Sequence, residues 1–281
     1  MVNSLVLKGS NMQTKKPFLH TILLLAFTIP SIASAAAFGL GIEGYRETYR
    51  EYVDGNERFM QQRGNMWSVD ADITHRFNTH HAAKLEGRYS KGKVDYIGGV
   101  NDSKYGSVKS YDLPRKSYDI RALYEYTHPL TERLDLTVSG GLGYRVLIDQ
   151  SSRKDKDDYD RKNKILYANI GTGLNLELPN DFGFQPKVSY NRMLRGRQHT
   201  YIGPSFTNKQ TGGHGIEVEL PLTKKFGNQS QLSFGPFYRG WKVPDSDKIE
   251  VMDDEDPSLQ HIFSEPKNYT HETGFKLKYT F

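Results

Sequence analysis

The chain has 281 residues, no cysteine, 38 basic and 33 acidic residues, and a mean hydropathy of −0.67. Without cysteine there is no disulfide framework, no lipobox and no thiolate metal site. Removing the three lysines of the first 35 residues, which hold no acid, lowers the net charge from +5 to +2, so the clustered basic excess of a nucleic-acid binder is absent. The hydropathy excludes a bundle of membrane helices but not a membrane barrel, because half of every barrel strand is polar.

At the N-terminus, Lys8, Lys15 and Lys16 precede an apolar stretch over 18–29, which Pro30 ends. Ala33-Ser34-Ala35 then supplies a small-x-small cleavage pattern. A signal peptide over 1–35 is expected, cut between Ala35 and Ala36, with one domain over 36–281; Met12 could equally be the start, since the leader is complete from there. The apolar stretch is too short for a membrane anchor. A cysteine-free chain suits passage through an oxidising periplasm.

From there the pattern is of strands. The first, over 39–52, puts Leu40 and Ile42 on one face and then blurs through Gly44-Tyr45-Arg46, where a bulge or an inward tyrosine is expected. Trp67, Val69, Ala71 and Ile73 alternate with Ser68, Asp70, Asp72 and Thr74; Leu85, Gly87 and Tyr89 alternate with Glu86 and Arg88. The same period of two recurs around Tyr118–Tyr126, Leu134–Val146, Leu166–Leu178, Phe182–Tyr190, Ile216–Leu222 and Leu232–Tyr238. Connections at 78–81, 128–132, 179–181 and 223–229 are short. Those at 53–64, 95–116, 149–164, 194–213 and 242–267 read as long polar loops.

In the last stretch, Tyr269, Thr273, Phe275, Leu277, Tyr279 and Phe281 take odd positions, against Thr270, Glu272, Gly274, Lys276, Lys278 and Thr280 on even ones. This ending resembles the bacterial outer-membrane β-barrel proteins, whose final strand closes on Phe after alternating apolar residues. The resemblance implies export to the outer membrane of a Gram-negative bacterium, contact with outer-membrane lipid and lipopolysaccharide, and recognition of Tyr279 and Phe281 by the barrel-assembly machinery. Alternating short turns and long loops agree with it. The expected fold is all-β: a monomeric, transmembrane, antiparallel up-and-down barrel of about ten strands, or eight or twelve if the first strand or a loop hairpin is misjudged.

With the apolar face toward lipid, the lumen is lined by Asp70, Asp72, Glu86, Asp119, Glu125, Asp135, Glu177, Glu217, Glu219 and Glu272. Facing them are Arg76, Lys84, Arg88, Arg121, Arg145, Lys187, Arg239, Lys276 and Lys278. A nearly balanced set in a narrow interior predicts a charge-paired plug; a narrow channel for small polar solutes is the alternative, although a selective pore favours a one-signed ring. A surface protease or lipid-modifying hydrolase is the second alternative. Size and the closing Lys-Tyr-Thr-Phe are similar to the omptin proteases, but the Asp-x-His pair on which that family's activity rests is absent, as is Gly-x-Ser-x-Gly. Asp70 and Asp72 share a face and are the one pair placed for acid–base work. Arg192, Arg195 and Arg197 suit the phosphates of lipopolysaccharide, or form an ordinary solvated rim. The run Asp253–Asp256 could hold calcium but lacks the glycine and spacing of an EF-hand. His75, His80, His81 and His128 read as turn and interface residues. No cofactor is expected, and the role is structural or in surface interaction, adhesin-like.

Overall fold

Where one face of a strand meets lipid and the other a packed interior, a one-residue slip would reverse every side chain, so the period of two fixes the pairing. In the computed structural model, which describes residues 36–53, 57–99, 104–156, 158–201, 205–227, 230–252 and 260–281, each period-two stretch is a strand of one antiparallel sheet. β1 (Ala36–Val53), β2 (Glu57–Arg76), β3 (His81–Gly98), β4 (Val108–Thr131), β5 (Leu134–Gln150) and β6 (Asp160–Glu177) pair in sequence order. The seventh strand is β7 (Phe182–Phe184) with β8 (Lys187–Tyr201). The eighth is β9 (Phe206–Gln210), β10 (His214–Glu219) and β11 (Leu222–Lys225). Pro186 and Pro221 stand in these breaks, as a residue without an N–H must, and their carbonyls still accept from Leu174 and Gln185. β12 (Gln231–Val243) and β15 (Lys267–Thr280) complete the set, with a separate hairpin of β13 (Ile249–Met252) and β14 (Gln260–Phe263) between them.

β15 pairs with β1 as well as β12, so the wall of ten strands closes on itself and leaves no edge. At the seam, the N–H groups of Phe38 and Phe281 each donate to the other's carbonyl at 2.9 and 2.8 Å, and their rings stack at 6.0 Å. Gly274 is required there: a Cβ would lie 2.2 Å from the Gly44 carbonyl. Tyr279 and Phe281 face outward at this end, beside the short turns.

Three of the expected long loops, 53–64, 95–116 and 194–213, are mostly strand, and a fourth, 149–164, is strand at both ends. β2 begins at Glu57, β3 runs to Gly98 with β4 resuming at Val108, β6 begins at Asp160, and β8 runs to Tyr201 with β9 paired against it. The fifth, 242–267, carries the β13–β14 hairpin. The reason is physical: beyond the lipid, the outer face meets water, so both faces turn polar and the hydropathy alternation vanishes while the hydrogen bonds continue. The 20 residues of β2 rise about 65 Å along the strand. At a tilt of roughly 40° that is about 50 Å of height, twice the ~25 Å apolar band of such barrels. The blurred first strand has no bulge at Tyr45; its register shift falls between Glu51 and Tyr52 instead.

The apolar band lies outside. Leu40, Ile42, Leu85, Ile120, Leu142 and Ile170 are among the most exposed side chains, as lipid-facing residues are when lipid is left out. Aromatic residues border it on both sides: Trp67, Tyr89 and Tyr118 are in ring contact toward the far end, and His80, His81 and Tyr126 toward the end that holds the termini. Ala35 and the remainder of the leader lie outside the described residues, as does Asp253–Asp256; Ala36 is the first residue of β1.

Candidate functional site: the lumen charge network

The interior of β1 reads Glu43, Tyr45, Glu47, Tyr49, Glu51, an acid and a tyrosine in turn, all buried. Removing a carboxylate from water costs several kcal/mol unless it is paired and hydrogen-bonded, and each of these glutamates meets cations from other strands. Glu43 takes Arg239 through both oxygens at 2.7 and 3.0 Å, and Arg88 at 2.8 Å. Ser68 adds a hydroxyl donor at 2.6 Å. Arg88 also binds Glu272 at 2.8 Å, and Arg239 reaches Glu219 at 3.1 Å.

Below this knot, Lys276 pairs with Asp70 at 3.0 Å, while Asp72 receives Lys278 and, at 3.8 Å, Lys84. Asp70 and Asp72 are therefore each tied to a lysine, which accounts for the pair without catalysis. Lys84 also holds Glu86 at 2.8 Å; Glu86 binds Arg121, whose other nitrogen reaches Glu217 at 3.0 Å. Asp119 accepts the Tyr167 hydroxyl at 2.7 Å.

Above it, the fully buried guanidinium of Arg115 donates to Glu47 at 2.6 Å, to Asp149 at 2.5 Å and to Gln62. Arg161 bridges Asp149 at 3.3 Å, Glu51 at 2.6 Å and Glu265 at 3.6 Å. The Tyr49 hydroxyl donates to Glu51 (2.8 Å) or to Glu265 (3.1 Å). Glu265 belongs to the segment joining β14 to β15, outside the membrane. Its burial, then the neighbouring Glu51, push its carboxyl well above the ordinary carboxylate range, with the Arg161 guanidinium opposing that rise.

Apolar side chains fill what the charges leave. Tyr45, Met66, Val94, Leu113 and Phe237 form one cluster, and Ile165, Tyr167, Met193, Trp241 and Val243 another. Tyr49, Met60 and Leu147 form a third. Arginine planes lie over their rings, Arg239 on Phe237 at 4.1 Å and Arg88 on Tyr45 at 4.8 Å, so the two kinds of packing interlock.

Not every residue placed in the lumen by alternation joins this network. Glu177 pairs with Lys225 at 2.5 Å with both side chains half in water, at the mouth beside the short turns, and Arg76 is exposed at the same mouth. Glu125, Asp135 and Lys187 are half-buried toward that end. Conversely, alternation missed Glu43, Glu47, Glu51, Arg115, Asp149, Arg161 and Glu265. The available signal was the Glu-x-Tyr-x-Glu-x-Tyr-x-Glu repeat over 43–51, which no outward apolar residue marks. Among the described residues, no group of three or more histidines and carboxylates is arranged to hold a metal ion.

A closed antiparallel wall with aliphatics outward, aromatic borders and paired charges within defines an outer-membrane β-barrel, and its place is the outer membrane of a Gram-negative bacterium. The chain belongs to the family described as outer membrane protein OpcA, whose model matches residues 54–277. Among solved structures it is similar to the outer membrane protease OmpT from Escherichia coli, with a TM-score of 0.60 at 14% identity over 88% of this chain and 96% of that one. That likeness shows the fold alone. The transport unit of the autotransporter AIDA-I from Escherichia coli aligns at a TM-score of 0.44 and 9% identity, over 92% of this chain and 94% of that one. No curated protein matches the sequence.

Proposed function

We propose that the protein acts from its outer rim, as an adhesin-like surface-binding barrel, and that its lumen is a structural plug and not a passage. The observation that carries this reading is where the ion pairs run. Arg145 of the fifth strand meets Glu272 of the tenth at 3.4 Å, and Arg161 of the sixth meets Glu51 of the first at 2.6 Å. Partners five strands apart in a ring of ten stand across the diameter, so side chains bridge the bore at two heights. Selective channels instead keep a track that ions or solutes can enter and leave.

The rim, by contrast, is built up. The wall continues roughly 20 Å past the lipid on the height estimate above, and the segment bearing the β13–β14 hairpin is fastened to it. Asn208 Nδ2 donates to the carbonyls of Asp247 and Phe263 at 2.9 and 3.1 Å, and Phe206 stacks on Phe263 at 4.4 Å. Replacing 249–263 by a short Gly-Ser turn tests the reading. Cells displaying the native protein are expected to attach to epithelial layers above the level of cells lacking it, and the shortened barrel, still heat-modifiable on gels, to lose most of that attachment. Native protein that gives no attachment over the empty control would overturn it.

A further inference from the structure

The two ends of the chain bring opposite charge to the seam. Over Gly39–Glu51 of β1 and Met60–Thr74 of β2, the residues that face the lumen include Glu43, Glu47, Glu51, Asp70 and Asp72 and no base. On β12 and β15 the lumen-facing charges are Arg239, Lys276 and Lys278, against the single acid Glu272. The first hairpin is therefore an acidic surface and the last pair of strands a basic one. β1 and β15 are the two strands that must meet for the wall to close.

In the closed wall the ion pairs cross that joint. Lys276 reaches Asp70 at 3.0 Å and Glu43 at 3.7 Å, Lys278 reaches Asp72, and Arg239 holds Glu43 at 2.7 Å. Asp70 and Asp72 belong to β2, so both lysines pass over β1 to find them. They pass where β1 has no side chain: Gly41 stands opposite Asp70 and Gly39 opposite Asp72. A Cβ at either glycine would run into the carboxylate that the lysine now holds. Glu272, the one acid of the basic side, is met by Arg88 of β3 at 2.8 Å, beyond the acidic hairpin. The outward face offers no such polarity, since Leu40 and Ile42 stand against Tyr279 and Leu277.

We propose that closure of the barrel is electrostatically steered: the acidic β1–β2 hairpin draws in the basic β12–β15 pair, and Lys276 and Lys278, passing over Gly39 and Gly41, clasp β15 to β2 across the seam. The attraction acts before the pairs are made, while the lumen face is still in water, and complementary charge of this kind raises the rate of encounter. It is screened by salt, whereas burial of the apolar outer face in lipid is not. Closure, the last step in building the wall, is thus the step that salt slows.

The mature chain is refolded from urea into phosphatidylcholine vesicles, which carry no net charge, in about 20 and about 500 mM sodium chloride, between which the Debye length falls from roughly 20 to roughly 4 Å. Heat modification reports the folded barrel. Because the chain has no cysteine, Ile42→Cys with Leu277→Cys, cross-strand partners at the seam, reports closure itself as a disulfide. Both readouts are expected to slow by roughly threefold or more at the higher salt. Lys276→Gln/Lys278→Gln is expected to close slowly at both salt levels. Lys224→Gln/Lys225→Gln, which removes two bases beside a short turn that pair with Asp181 and Glu177, is expected to behave as the native chain. A closing rate that is equal or faster at the higher salt, a seam variant that folds with the native rate and salt response, or a turn variant slowed as much as the seam variant would each overturn the proposal. The two salt arms need no charge variant, so a seam variant that fails to fold leaves them to decide.

Discussion

Arg115→Ala is expected to destabilise the folded barrel by about 3–5 kcal/mol, the cost of leaving the opposite charge of a buried pair uncompensated. Arg115 is the largest fully buried side chain among the described residues, and one guanidinium satisfies Glu47 at 2.6 Å, Asp149 at 2.5 Å and the Gln62 amide. Truncation leaves Glu47, itself wholly buried, without its nearest cation. Arg115→Lys should recover little, because a single ammonium cannot reproduce a planar fork aimed at three acceptors. Combining Arg115→Met with Glu47→Gln and Asp149→Asn should recover most of the loss, since it removes the charges together. Urea unfolding in detergent micelles measures this. A single Arg115→Ala variant within about 1 kcal/mol of native, the range of solvent-exposed pairs, would mean that water reaches the site.

Arg239→Ala is expected to cost somewhat less, about 2–4 kcal/mol, since its partners keep other cations. Glu43 retains Arg88 at 2.8 Å and Lys276 at 3.7 Å, and Glu272 retains Arg88 and Arg145. What is lost is the two-oxygen hold on Glu43 and the link to Glu219. Glu43→Gln in the Arg239→Ala background should therefore cost clearly less than it does alone, a coupling of at least 1 kcal/mol by the double-mutant cycle. Strictly additive losses in the same unfolding assay would show that the two residues do not act as a unit.

The lower half of this molecule was legible from sequence because lipid enforces the alternation there. Leu40, Ile42, Val69 and Ile73 mark the outward face, so Asp70, Asp72 and Lys276 could be assigned to the lumen by parity alone. Higher up, β1 presents Arg46, Thr48 and Arg50 outward, and no apolar residue marks Glu47 or Glu51 as inward. Hydropathy there leaves β1 a blurred strand and reads the stretches that hold Arg115, Asp149 and Arg161 as loops, so the densest part of the network goes unseen. Glu265 was beyond any periodic reading, since it enters the mouth from a connection, fixed by contacts with Tyr49 and Arg161 that are remote in sequence. The period of two ran through Pro186 over Phe182–Tyr190 and through Pro221 over Ile216–Leu222, and the wall strand does continue across each proline, but the local breaks in pairing there were not legible. Partner choice was also hidden: parity gives the side of the wall, whereas which cation meets which acid depends on the stagger of the closed barrel.

The measurement that bears most directly on a plugged lumen is single-channel current through the purified native barrel in a planar bilayer. Ion pairs spanning the diameter, Arg145 with Glu272 and Arg161 with Glu51, predict a membrane that stays at its unmodified baseline after insertion is confirmed by protease-protected, heat-modifiable protein. A steady ohmic current that scales with the number of inserted barrels would contradict the account and give the lumen a transport role.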